Sequence, residues 1–180
     1  MFPLSTRSKE AIKTSLAIVI AYAISLSMGW EKPVWAGFTV AFISLPTVGQ
    51  SLRKGVLRML GTLVAGAVAL TLIGLFAQDR WWFMVAMSLY IGICTYRMLG
   101  AKNPYFYFVS AFVCVIIVFD GGVESLSAFE TAIERMQETG MGILVYTLIS
   151  FFLWPQNTKA ILDDTSRKLI LVQSRLFQSY

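Results

Sequence analysis

Apolar residues run along this chain in blocks, without strand-like alternation. Six blocks fill the sequence between Ala11 and Trp154: Ala11–Met28, Val34–Val48, Val56–Phe76, Trp81–Leu99, Pro104–Phe119 and Thr131–Trp154. A helix that crosses a bilayer needs about 20 mainly apolar residues. Lipid cannot hydrogen-bond the backbone, so only helices and closed barrels span it. Barrel strands alternate in polarity, and Leu16-Ala17-Ile18-Val19-Ile20-Ala21 does not. The pattern predicts an all-α, six-helix transmembrane bundle over 1–154. The second and fifth blocks are short and must borrow aromatic, Pro or Gly residues at the interface. After Trp154-Pro155 the pattern changes. Leu162, Leu169, Val172 and Leu176 recur at heptad-like spacing with charges between them. This predicts an amphipathic helix over 155–180, capped by Asn157 or Thr158, and either cut short at Tyr180 or paired with another subunit.

Composition sharpens this picture. Hydrophobic residues make up 57% of the chain and charged residues 14%, against about a quarter charged in soluble domains. The charges also orient the bundle, because Lys and Arg collect in cytoplasmic loops. With the N-terminus inside, twelve basic residues fall on the cytoplasmic side, and three (Lys32, Arg80 and Arg135) on the other. Both ends are therefore expected in the cytoplasm, and so is the 155–180 helix. The basic residues are spread over short loops, which argues against a nucleic-acid surface. The first block is too long for a signal peptide and lacks a small-x-small cleavage site before Trp30, so an uncleaved span is expected. Cys94 and Cys114 both lie within spans and read as small buried residues. With no histidine in the chain, neither a metal site nor a cofactor is expected. No Ser/His, Cys/His or Gly-rich phosphate motif suggests an enzyme.

Two three-helix halves enter the membrane from opposite sides, since three is odd. The third helix opens Arg58-x-x-Gly61-Thr62 with Gly66 beyond, and the sixth opens Arg135-x-x-Glu138-Thr139 with Gly142 beyond. Such recurrence is expected of an inverted repeat. Small residues at every fourth position (Ala17, Ala21, Ser25, Gly29, and again Gly61, Ala65, Ala69) predict close helix packing, within a subunit or across a dimer. Pro46, near the end of the second helix beside Gly49, should stop or kink it.

Chemistry centres on the rare intramembrane charges. The uncharged part of the sixth helix, Thr139 to Trp154, measures about 24 Å at 1.5 Å per residue. The core is about 30 Å thick, so Glu138 and Arg135 must enter it. Being three apart, they share a face and can pair. They are either a boundary ion pair or the lining of a path. Arg58 either snorkels or, with Lys54 four residues earlier, draws anions inward. Asp120 is a loop acid or a proton carrier. The row Glu130, Glu134, Glu138 reads as a solvated face. Trp30, Trp35, Trp81, Trp82, Tyr105, Tyr107 and Trp154 form interfacial belts, and Trp35 or Tyr105 could stack on an aromatic substrate.

The segment Pro46-x-x-Gly49-x-Ser51-x-x-Lys54-x-x-x-Arg58-x-x-Gly61-Thr62-x-x-x-Gly66 resembles the fusaric acid resistance and aromatic acid exporter family. Trp35-Ala36, Arg135-x-x-Glu138-x-x-x-Gly142 and Trp154-Pro155 extend the likeness over nearly all six helices. Lys54 to Gly66 is also similar to the plant aluminium-activated malate transporters. The resemblance implies a bacterial inner-membrane exporter of organic, often aromatic, carboxylates. It implies coupling to the proton gradient and, in Gram-negative cells, a periplasmic adaptor protein. Its arginines correspond to Arg58 and Arg135. Three functions then compete. One is a carrier that holds a carboxylate on the two arginines, with Glu138 or Asp120 taking up a proton. Another is an organic-anion channel at the axis of a dimer, the oligomer favoured here. The third is a non-transporting assembly module that recruits partners through 155–180.

Overall fold

The computed structural model describes residues 6–76, 78–122, 124–154, 166 and 169–173. The membrane region forms α1 (Thr6–Ser27), α2 (Val34–Ile43), α3 (Val48–Phe76), α4 (Arg80–Gly100), α5 (Pro104–Gly121) and α6 (Ser125–Phe152). No strand occurs among the described residues. The helix expected over 155–180 lies mostly outside them; residues 169–173 are helical, with Leu169 and Val172 exposed.

The order of packing follows from α6. It touches α1, α2, α3 and α5, whereas α4 packs only on α5 and α3. The buried apolar residues form two clusters on either side of the α6 midpoint. Ala128 and Ala132, from the first half of α6, pack with Ala65, Ala69 and Ile73 of α3 and with Val109, Val113, Cys114 and Ile117 of α5. Val145, Tyr146 and Ile149, from its second half, pack with Ala17 and Ala21 of α1 and with Ala36, Val40 and Ile43 of α2. Exchanging α1 with α4, α2 with α5 and α3 with α6 maps each of these packed helix pairs onto another: α1·α2 onto α4·α5, α2·α6 onto α5·α3, α1·α6 onto α4·α3, and α2·α3 onto α5·α6. The bundle thus has the connectivity of two equivalent three-helix halves.

Several boundaries differ from those read in the sequence, and each has a local cause. The second helix stops at Ile43 rather than Val48. Ser44 is already extended, with ψ 114°, and Leu45 precedes Pro46, whose ring disfavours helical backbone in the residue before it. Pro46 therefore ends the helix and does not kink it. At ten residues α2 covers about 15 Å, half of a hydrocarbon core. Four helices satisfy the length and composition needed to cross a membrane, over Ser8–Ser27, Val48–Phe76, Arg80–Gly100 and Pro104–Gly121. The other two of the six expected helices are present but fall short of that measure: α2 is only ten residues long, and the first half of α6 carries Glu130, Glu134, Arg135 and Glu138.

The third helix starts eight residues before Val56, at Val48, and takes in Gly49 and Lys54. Thr47 starts it: its Oγ1 accepts the Gln50 amide at 3.3 Å, as an N-cap does. The irregular backbone between α2 and α3 is tied into the bundle. Ser51 Oγ accepts the Leu45 amide at 3.0 Å and donates to the Leu45 carbonyl at 3.2 Å, while Tyr146 Oη donates to that same carbonyl at 3.2 Å. Such ties let non-helical backbone persist where water is scarce.

Small residues make the closest contacts. Ala17, Ala21 and Ser25 are fully buried within the bundle. Gly29, expected on the same stripe, has φ +71° and lies past the end of α1. A Cβ on Gly142 would sit 2.7 Å from the Ala36 carbonyl oxygen and 2.7 Å from Thr39 Cβ. A Cβ on Gly61 would sit 2.9 Å from Val109 Cγ1 and 3.1 Å from the Phe106 carbonyl oxygen. Backbone cannot yield as a flexible side chain does. Gly142→Ala should lower stability by about 1–3 kcal/mol. Gly74→Ala, where no atom lies within 4 Å, should be neutral or stabilising by up to about 1 kcal/mol. Thermal denaturation of the purified protein in detergent separates the two, and equal behaviour would contradict the packing at Gly142.

Candidate anion-binding site

Two buried guanidinium groups lie against one face of α2. Trp35, Thr39 and Phe42 recur at i, i+4 and i+7, the spacing of a single helical face. Arg58, on α3, is 3% exposed. Its Nε donates to Thr39 Oγ1 at 3.3 Å, its Nη1 donates to the Tyr105 hydroxyl on α5 at 3.3 Å, and its guanidinium carbon lies 5.0 Å from the Phe42 ring centroid. Thr39 Oγ1 in turn donates to the Trp35 carbonyl at 3.0 Å, which aims an oxygen lone pair at Arg58. Lys54, one turn earlier on α3, holds its Nζ 4.8 Å from the Tyr105 ring centroid. Among the described residues no carboxylate pairs with Arg58 or Lys54. The two cations share neutral, aromatic surroundings, in which an anion is the missing counter-charge.

Arg135 has the opposite environment. Its guanidinium carbon lies 4.7 Å from the Trp35 ring centroid, and Nη2 lies 3.1 Å from Glu138 Oε2. Both side chains are nearly fully buried, at 4% and 2% exposed. This ion pair is not at the outer boundary of a helix beginning near Thr131. α6 begins at Ser125, so Glu138 is the fourteenth of its 28 residues. The acidic row is likewise not a uniformly solvated face: Glu130 is exposed, Glu134 half-buried and Glu138 buried. Asp120 pairs with Lys32 at 3.1 Å, and both Asp120 and Glu134 act electrostatically on Arg135. Two cations and three carboxylates thus surround the Trp35 end of α2, while two cations alone occupy the Thr39–Phe42 end.

The sequence-derived residues divide accordingly. Arg58, Lys54 and Tyr105 converge in one cluster, and Arg135, Glu138, Asp120 and Trp35 in the other. Gly61, Thr62, Gly66 and Gly142 are buried at helix contacts. Thr62 Oγ1 donates to the Arg58 carbonyl at 3.0 Å. Pro46 and Gly49 are exposed and lie at the α2–α3 junction. Cys94 and Cys114 are free and buried. No group of three or more metal-ligating side chains occurs among the described residues.

Sequence reasoning missed Thr39 and Phe42, which meet Arg58 directly. A signal for Phe42 was present. Lys32-Pro33-x-Trp35-x-x-Phe38-x-x-x-Phe42 and Lys102-x-Pro104-Tyr105-x-x-Phe108-x-x-x-Phe112 place Lys and three aromatics in the same register, seventy positions apart. The repeat is visible in the structure: Arg135 of α6 meets Trp35 on α2, and Arg58 of α3 meets Tyr105 on α5. The glycine contacts follow suit, with Gly142 against the carbonyl of Ala36 and Gly61 against that of Phe106. A surface cleft of about 250 Å³ runs between α4 and α5 and is lined by Cys94, Met98 and Phe112, with neither arginine in its wall.

Buried cations on long helices, packed against a helix too short to cross the bilayer, fit the plan of a membrane transport protein. Residues 10–180 match the model of the fusaric acid resistance protein family, and the chain belongs to that family. It is 27% identical over 185 residues to the p-hydroxybenzoic acid efflux pump subunit AaeB of Enterobacter cloacae subsp. cloacae, covering 97% of this chain and 28% of the relative. It is 26% identical over 189 residues to the protein of the same name from Edwardsiella ictaluri, covering 99% of this chain and 29% of the relative. The uncharacterized transporter YdhK of Escherichia coli K12 is 28% identical over 140 residues, or 76% of this chain and 21% of the relative. The chain therefore spans less than a third of the length of these relatives.

Thr39 gives the site its simplest test. Thr39→Val keeps the side-chain volume but removes the acceptor for Arg58 Nε, at an expected cost of about 1.5–3 kcal/mol. Thr39→Ser should restore most of it. Thermal denaturation of the two variants checks this, and a Val variant as stable as wild type would show that the contact carries no energy.

Proposed function

We propose that this chain is the membrane domain of a bacterial inner-membrane exporter of organic carboxylates, aromatic ones included. Its two ends lie in the cytoplasm, as the bias of Lys and Arg suggests. One observation carries the reading: Arg58 is buried beside Lys54 with only neutral partners. A substrate carboxylate suits that guanidinium, because charge-assisted hydrogen bonds are about twice as strong as neutral ones. Tyr105 and Phe42 add ring surfaces for an aromatic body. The anion enters from the cytoplasm at Arg58, moves along the Phe42–Thr39–Trp35 face of α2 and reaches Arg135. Four residues separate Trp35 from Thr39, about 6 Å of rise, so the two stations lie within a few ångströms of one molecule's length. Glu138, Asp120 and Glu134 are the carboxylates available to carry a coupling proton. The names of the relatives support 4-hydroxybenzoate as the first substrate to try.

Export of 4-hydroxybenzoate from loaded cells tests the reading. Arg58→Ala should reduce export to background at normal membrane levels, and Arg58→Lys should retain part of it, because an ammonium supplies charge without the bidentate fork. Undiminished export by Arg58→Ala would remove Arg58 from the path.

A second reading, an anion channel between two copies of the chain, has one observation in its favour. Phe42, which covers the Arg58 guanidinium, is 38% exposed, so this station borders the protomer surface. Planar-bilayer recording distinguishes the two. Unitary anion currents would select the channel, and transport driven by a pH gradient without such currents would select the carrier.

A further inference from the structure

We propose that the Glu138 carboxylate is a built-in competitor for Arg135, holding the second guanidinium against the exported anion and expelling that anion from it. This rests on the reading of Arg58 and Arg135 as successive carboxylate stations. The argument begins with the contrast between the two. Arg58 has hydroxyl and ring partners and no carboxylate, whereas Arg135 has a carboxylate three residues along its own helix, with Nη2 to Oε2 at 3.1 Å. Because both groups belong to one helical face, no movement of another helix separates them. The competitor is therefore always within reach.

The pair is also incomplete as a structural bond. Among the described residues, no nitrogen of the Arg135 guanidinium makes a directed hydrogen bond, and neither oxygen of Glu138 accepts one. Arginine can grip a carboxylate with two parallel hydrogen bonds, and this geometry leaves that capacity unused. An external carboxylate can thus replace Glu138 with better geometry at Arg135. Doing so strands the buried Glu138 charge, which lies next to Glu134 and Asp120. At Arg58 no such rival stands among the described residues. The same anion is consequently held more weakly at the second station than at the first. This asymmetry favours release on the far side without any difference between the two guanidinium groups themselves.

Binding of 4-hydroxybenzoate to the purified chain in detergent, followed by titration calorimetry, tests the assignment. Wild type should bind one equivalent, lost in Arg58→Ala. Glu138→Gln keeps the side-chain length and removes the charge. It should add a second equivalent, or tighten binding about tenfold, the scale on which close charge pairs couple. The gain should vanish in the double variant Glu138→Gln/Arg135→Ala. Unchanged stoichiometry and affinity in Glu138→Gln, with wild-type binding intact, would overturn the competitor role and leave the transport reading standing. Failure of both wild type and Glu138→Gln to bind 4-hydroxybenzoate, benzoate or acetate would overturn the two together. If Glu138→Gln loses helicity by circular dichroism, Glu138→Asp replaces it. Its shorter reach should give a smaller gain in the same direction, and no gain would again count against the proposal.

Discussion

A positive charge buried without a counter-charge is the condition on which this bundle is built. Arg58 cannot reach bulk water and cannot be solvated by lipid, so three helices share the task of holding it. α3 supplies the guanidinium, α2 a hydroxyl oxygen and a ring face, and α5 a phenol. The arrangement stabilises the cation enough to fold, yet provides no full charge to match it.

The rest of the packing serves that junction. Glycines let α6 approach the α2 backbone at Ala36, and α3 approach the α5 backbone at Phe106. The ties from Thr47, Ser51 and Tyr146 hold the break after α2, so that a helix only ten residues long keeps its face toward both arginines. The two halves repeat the device with different chemistry: an aromatic in the first turn of the short helix meets an arginine on a long one. In one half the arginine has only neutral partners among the described residues, and in the other it is paired with Glu138.

The hydrophobic blocks revealed the number of helices and their approximate places, because lipid exposure demands long apolar runs whatever the tertiary fold. The arginines were legible for the same reason, since charges inside such runs are rare. The ends of the helices were less so. The second block runs to Val48 because apolar character alone does not register the steric effect of Pro46 on the residue before it. The sixth block opens at Thr131 because it follows apolar residues, whereas the helix begins at Ser125 and carries the exposed Glu130 along. Thr39 was not singled out: a threonine in an apolar run is ordinary, and its role exists only once α3 brings Arg58 alongside. The doubled Lys–aromatic register of α2 and α5 was written in the sequence and needed only a comparison at the right offset.

The end of α6 is anchored in an uncommon way. Lys13 of α1, 1% exposed, donates to the carbonyl of Trp154 at 2.8 Å and pairs with Glu10 at 2.8 Å, while Lys9 stands 5.9 Å from the Trp154 ring centroid. Trp154 itself has φ +47°, a backbone state costly for a bulky residue. Trp154 is thus latched to α1 at the end of α6. A displacement of Trp154 therefore bears on α1 and α6 together, and α6 is the helix that carries Arg135 at its middle.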